Sequence, residues 1–93
     1  LQAMRKPLVA GNWKMHGDAG FIEAYAGALR RAGRAKDVDF LLFPPACYLD
    51  RLVAAVADLG VEVGAQLAHW ASDGAFTGEI APGMVRELGA GWV

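Results

Sequence analysis

The sequence predicts an α/β fold built on a parallel sheet. Three observations carry that expectation. Short apolar runs begin at Pro7, Val38, Val61 and Ala90, roughly 23–30 residues apart, the size of one strand-plus-helix unit. The segments between them place apolar residues at helical spacing. The chain also holds 12 Gly and 4 Pro, which suits tight connections between strands and helices. The resulting order is β-α-β-α-β-loop-α-β, with crossovers joining parallel neighbours.

Each element has its own signals. Pro7 to Trp13 (PLVAGNW) is continuously apolar rather than alternating, as expected of a strand covered on both faces. Asp18 can cap the following helix by accepting an amide hydrogen from its first turn. In that helix Phe21, Tyr25, Ala28 and Leu29 recur at helical spacing. Glu23 stands early and Arg30, Arg31 and Arg34 late, the order a helix dipole favours. Gly33 can end the helix. Val38 to Phe43 is a second strand, stopped by Pro44-Pro45. Leu49, Leu52, Val53, Val56 and Leu59 form a second helical stripe with Gly60 beyond it. Val61 to Ala65 is a third strand. A long polar stretch from Gln66 to Glu79 follows. Pro82 then sits in a first turn, ahead of Met84, Val85 and Leu88 in a short helix ending at Gly89. Ala90 to Val93 begins a fourth strand.

Composition bounds the function. The chain has 93 residues, 9 Lys+Arg against 10 Asp+Glu, a net charge of -1, and 55% hydrophobic residues. One thin-cored domain fits that length, and the apolar content argues against disorder. Near-neutral charge disfavours nucleic acid and anionic membranes as partners. The longest apolar run, Leu52 to Ala57, is far short of the ~20 residues a membrane span needs. One Cys cannot form an internal disulfide, so a reducing compartment is expected. Leu1-Gln2-Ala3 does not read as a signal peptide. Met4 is a candidate natural start, with the three residues before it then added in cloning. Gly91-Trp92-Val93 stops inside an apolar run, as expected of a chain cut short. No linker or domain boundary is visible, so residues 1–93 are expected to belong to a single domain.

Most chemical motifs fail. No phosphate loop and no dinucleotide fingerprint follow the first strand. Gly89-Ala90-Gly91 leads into a strand rather than a helix. His16, Cys47 and His69 lack metal-ligand spacing, and no cofactor or metal is expected. Cys47, at a helix start, reads as a small buried hydrophobe. The Arg30–Lys36 cluster reads as a solvated helix end. Two segments stand out. Gly11-Asn12-Trp13-Lys14-Met15 lies where the first strand ends, and parallel sheets bind ligands beyond their strands' carboxyl ends. Asn12 can hydrogen-bond an oxygen, and Lys14 offers a point charge to an anion. On residue type alone, a turn Asn and a surface Lys is the ordinary reading. Gly74-Ala75-Phe76-Thr77-Gly78-Glu79 occupies a loop too long for a simple connector. Its Phe-Thr tip suits either docking into a partner or packing on its own loop.

Together these stretches, with Gly64-Ala65-Gln66 and Leu88-Gly89-Ala90-Gly91-Trp92-Val93, make the chain resemble the N-terminal part of the triosephosphate isomerase family, from about Lys6 to Val93. The resemblance implies a partial (β/α)8 TIM barrel: strands one to three, helices one to three, and the beginning of strand four. It implies interconversion of dihydroxyacetone phosphate and glyceraldehyde 3-phosphate in glycolysis and gluconeogenesis, without cofactor or metal. A carboxylate base and a neutral imidazole would move protons through an enediolate. Lys14 is implied as a catalytic and substrate-binding residue, and Asn12 as substrate-binding. Gln66, Phe76, Thr77 and Glu79 are implied at a homodimer interface through the 66–79 loop, with Gln66 and Glu79 at positions that support either the site or that subunit contact, and the cytoplasm is implied as the location.

The family's Gly-His-Ser-Glu-Arg segment with the catalytic His lies beyond Val93, as do the carboxylate base and the phosphate loops. His16 and His69 do not match that His. His16 stands where Asn is common, and Ala81 stands where Ser often caps the third helix. Residues 1–93 alone are therefore expected to be inactive. The alternative is a non-catalytic part-barrel that self-associates through its open strand edges. A flavodoxin-like ligand-binding domain is a further alternative, without the glycine loop such a domain uses.

Overall fold

The computed structural model describes residues 5–33 and 37–93. Met4, Arg34 and Lys36 lie outside the described residues, and with them the candidate start and part of the basic cluster. The elements are β1 (Leu8–Asn12), α1 (Ala19–Ala32), β2 (Asp39–Phe43), a 3-10 turn (Ala46–Tyr48), α2 (Leu49–Ala55), β3 (Glu62–Val63) and α3 (Pro82–Glu87). The three strands form one sheet in the order β1-β2-β3. Both pairings are parallel, with Leu8 opposite Asp39, Asn12 opposite Phe43, and Leu42 opposite Val63. Sequential parallel order, with a helix between each pair of strands, is the opening arc of the expected barrel. The sheet does not close.

Local chemistry explains the helix limits. The Asp18 carboxylate accepts the Phe21 amide at 2.7 Å, capping α1. Gly33 ends it at φ 76°, a left-handed backbone that costs glycine nothing, and its N–H donates to the Leu29 carbonyl. Pro82 opens α3 at its first position, where no helical partner for its missing N–H is needed. Ala81 provides no side-chain cap there.

The core lies between one face of the sheet and the helices. Ile22 and Ala26 of α1, Leu49 and Leu52 of α2, Val56, Leu42 of β2, Val63 of β3 and Val85 of α3 form one buried cluster. The expected stripe on α1 is therefore rotated. Ile22 and Ala26 are buried, Tyr25 and Leu29 half-buried, while Ala28 and Phe21 are exposed. Phe21 leaves the core for an aromatic group, with its ring 5.0 Å from Trp13 and 5.6 Å from Tyr25. Such edge contacts favour rings at the margin of a core. The second stripe is placed as expected, although α2 ends at Ala55 and the chain turns through Gly60 at φ 70°. On α3 only Val85 is buried, and Met84 and Leu88 face outward.

Three further expectations need correction. β1 is not covered on both faces: Leu8 is 46% and Val9 51% exposed. It is an edge strand with β2 as its one neighbour in the sheet, and Leu8 and Val9 are only about half covered among the described residues. The third strand is two residues long, and the fourth is one parallel bridge between Gly64 and Trp92. Cys47 is exposed, in the middle of a 3-10 turn that has no buried residue.

Burial also shapes one titration. Tyr25 is half-buried, and desolvation raises its phenol above the ordinary value of 10.0. The folded state thus holds the proton more tightly than the unfolded state. That contribution to stability is present below pH 10.0 and is lost as pH rises through the folded value. Denaturant melts on either side of that pH should show an alkaline loss of stability that Tyr25→Phe diminishes.

Candidate functional site

The carboxyl ends of β1, β2 and β3 converge on a broad open hollow of about 590 Å³. It is lined by Asn12, Lys14, Met15, Pro45, Ala46, Gln66 and Leu67. A second hollow of about 880 Å³ lies between α1, the end of α2 and the strands. Its lining is mainly Val9, Leu29, Val38, Phe40, Leu59 and Val61, with Arg30 and Asp58. Those two are paired with each other at 3.2 Å, and they leave no free charge there for a polar ligand. The hollow at the strand ends, which gathers Asn12, Lys14 and Gln66, is the candidate site.

The backbone at Lys14 is unusual. Its φ is 54°, the one positive value at a non-glycine residue among those described. A left-handed backbone costs a residue with a Cβ about 1–3 kcal/mol unless its surroundings hold it. Here both amide groups of Lys14 are held. The Asn12 Oδ1 accepts the Lys14 N–H at 2.8 Å. The Gln66 Nε2 donates to the Lys14 carbonyl at 2.8 Å and to the Phe43 carbonyl at 3.0 Å. The Phe43 carbonyl also accepts the Trp13 N–H at 2.9 Å. One glutamine thus ties the ends of all three strands together.

The side chains left for a ligand follow from this. Lys14 forms no ion pair among the described residues, where the two salt bridges are Lys6–Asp39 and Arg30–Asp58. Its ammonium is an uncompensated positive charge at the hollow. With its oxygen turned to the Lys14 amide, Asn12 keeps its Nδ2 donor for another acceptor. The hollow can receive an oxyanion, but its lining includes no imidazole, carboxyl or thiol. His16 and His69 do not line it. Among the described residues, no cluster of His, Cys, Asp and Glu could hold a metal ion. No described helix is long and apolar enough to cross a membrane.

The other singled-out residues lie in a separate loop. Phe76 is 42% exposed and folds back on its own segment, with its ring 4.2 Å from His69 and 6.3 Å from Trp70. Gly74, at φ 136°, lies close against it: a Cβ there would come 2.6 Å from the Phe76 ring. The Glu79 N–H donates to the Phe76 carbonyl at 3.0 Å, and the His69 N–H to the Ile80 carbonyl at 2.8 Å. Thr77 is left exposed at the tip and Trp70 is 87% exposed. The structure thus brings Asn12, Lys14 and Gln66 together and sets Phe76, Thr77 and Glu79 apart.

Met15 belongs to the segment singled out after the first strand, whereas sequence reasoning missed the contribution of Pro45, Ala46 and Leu67 to the hollow and the grip of Gln66 on two carbonyls. Their one signal is position, directly after a strand. A family model described as triosephosphate isomerase matches residues 7–93, and the chain belongs to that family.

Proposed function

We propose that the chain serves as the first three strand–helix units of a triosephosphate isomerase, interconverting dihydroxyacetone phosphate and glyceraldehyde 3-phosphate. The observation that carries this reading is the unpaired Lys14 ammonium, fixed through both of its amide groups at the carboxyl ends of three parallel strands. Lys14 places positive charge against the phosphate and the developing enediolate, where a preorganised cation lowers the barrier most. Asn12 gives its Nδ2 hydrogens to a substrate oxygen. Proton transfer beside the carbonyl needs a base and an acid within hydrogen-bond reach. The hollow's lining includes neither, so both come from outside residues 1–93.

The 66–79 loop is the proposed homodimer contact, with Thr77 at its tip and Phe76, Gln66 and Glu79 supporting it. The cytoplasm is the proposed location. Purified residues 1–93 are expected to show no isomerase turnover in a coupled assay with glyceraldehyde 3-phosphate. Co-expression with the remaining part of a barrel should restore it. Turnover by residues 1–93 alone would overturn this assignment of roles.

One observation favours a second reading. β1 is an open edge with exposed Leu8 and Val9. Unpaired edges of this kind recruit other chains. In this reading residues 1–93 form a non-catalytic part-barrel that self-associates. Sedimentation would then show oligomers, whereas a monodisperse, cooperatively melting monomer would exclude it.

A further inference from the structure

We propose that His69 is a pH-sensitive latch on the 66–79 loop: as a neutral imidazole it holds the loop's aromatic face together, and on gaining a proton it releases that face and weakens the subunit contact. The effect on the contact rests on the reading of this loop as the homodimer interface. Between Gln66 and Ile80 the chain forms no helix or strand, so side chains and single backbone bonds hold it. His69 supplies three of those holds. Its N–H donates to the Ile80 carbonyl at 2.8 Å, closing the base of the loop. Its Nδ1 accepts the Ala71 N–H at 3.0 Å. Its ring stacks on Trp70 at 5.0 Å and 26°, and lies 4.2 Å from the Phe76 ring at 31°. Trp70 and Phe76 are both exposed, so the rings that His69 gathers are the ones a partner would meet.

The proton decides whether the Ala71 bond exists. An imidazole nitrogen that accepts an amide hydrogen carries none of its own, so the neutral ring has its hydrogen on Nε2. A charged imidazolium is a donor at both nitrogens. Its Nδ1 hydrogen then points at the Ala71 N–H, and the attraction becomes a repulsion. Turning the ring end for end in its own plane removes the clash and still leaves the Ala71 amide without an acceptor. Either way the backbone that carries the Trp70 ring loses its tether. The attraction of a cation for aromatic faces does not replace that acceptor. The other charged groups of this loop are Asp73 and Glu79, and those of the following α3 are Arg86 and Glu87; all four are exposed. None pairs with His69, since the two salt bridges among the described residues are Lys6–Asp39 and Arg30–Asp58. No carboxylate is therefore placed to keep the charged ring where the neutral one sits.

The test follows a complete barrel carrying these residues by NMR and sedimentation between about pH 8 and about pH 5, the range in which histidines ordinarily change charge. Nitrogen shifts of the His69 ring identify its tautomer and its charge. At the upper end the ring should be neutral, with its hydrogen on Nε2. As it charges, the Ala71 amide should lose about tenfold in exchange protection, the worth of one hydrogen bond, and the dimer dissociation constant should rise by about the same factor. His69→Asn keeps an acceptor oxygen in place of Nδ1 and does not titrate, while Asp73, Glu79, Arg86 and Glu87 stay as they are. Both responses should vanish in it. Unchanged Ala71 protection as the ring charges overturns the proposal, and so does an equal response in His69→Asn. A loosened loop with an unchanged dissociation constant overturns it as well. If no dimer forms at either pH, the homodimer reading fails and its regulation falls with it, while the Ala71 signal still decides whether His69 latches the loop.

Discussion

On the proposed function, Lys14→Met should lower kcat/KM of a complete barrel carrying these residues by about a hundred- to a thousandfold or more while leaving the fold in place. The magnitude is that of removing one preorganised charged or hydrogen-bonding group aimed at developing negative charge. The fold should survive because the Lys14 side chain is exposed and forms no ion pair among the described residues. Surface substitutions of that kind usually move stability by less than about 0.5 kcal/mol. Methionine keeps most of the stem and removes the charge, and the backbone contacts to Asn12 and Gln66 do not depend on the side chain. The variant therefore separates charge from architecture. Steady-state kinetics and a thermal melt on the same preparation check both halves. Near-normal kcat/KM would remove Lys14 from the chemistry. A large drop in melting temperature would mean that the side chain supports the fold instead.

The sequence announced the order of elements more clearly than their extents. Asp18, Gly33, Pro82 and the proline pair before the 3-10 turn are local devices, and each acts where its own chemistry requires. The rotation of α1 was not legible, because Phe21, Ile22, Tyr25 and Ala26 are all apolar and spacing alone does not choose between adjacent faces. Packing into the cluster that also holds Leu42, Leu49 and Leu52 chose Ile22 and Ala26. The shortness of β3 was equally hidden, since β propensity marks a run without saying where its neighbours stop pairing. At the site, Asn12 and Lys14 could be picked out by residue type and position. Their mutual geometry could not, because it depends on a glutamine 52 residues from Lys14 and on a carbonyl, which every residue carries.

Gly64→Ala should be the most damaging single-methyl change in the chain, for reasons of space rather than backbone conformation. The residue sits where β3 ends, donating its N–H to the Leu42 carbonyl at 2.9 Å and pairing with Trp92. A Cβ at this position would overlap the Phe43 ring and lie 2.8 Å from the Trp92 Cβ. The Trp92 Cβ is bonded directly to its Cα and moves only with its backbone, so rotating a side chain aside does not relieve that contact. Overpacking of this kind costs about 1–3 kcal/mol. The damage should also reach the site, because moving Phe43 moves the carbonyl that Trp13 and Gln66 share. Melting temperature and kcat should fall together. Gly83→Ala is the contrasting case. Gly83 lies within α3, has ordinary backbone angles and has nothing within 4 Å of a new Cβ. There alanine should add about 0.5–1 kcal/mol of stability by restricting the unfolded chain and favouring the helix. Denaturant titrations of the two variants should diverge in opposite directions from the unmutated protein. If Gly64→Ala instead melts with the unmutated protein, the close approach of β3 to Phe43 and Trp92 does not exist, and the three strand ends are not drawn together as the Gln66 contacts require.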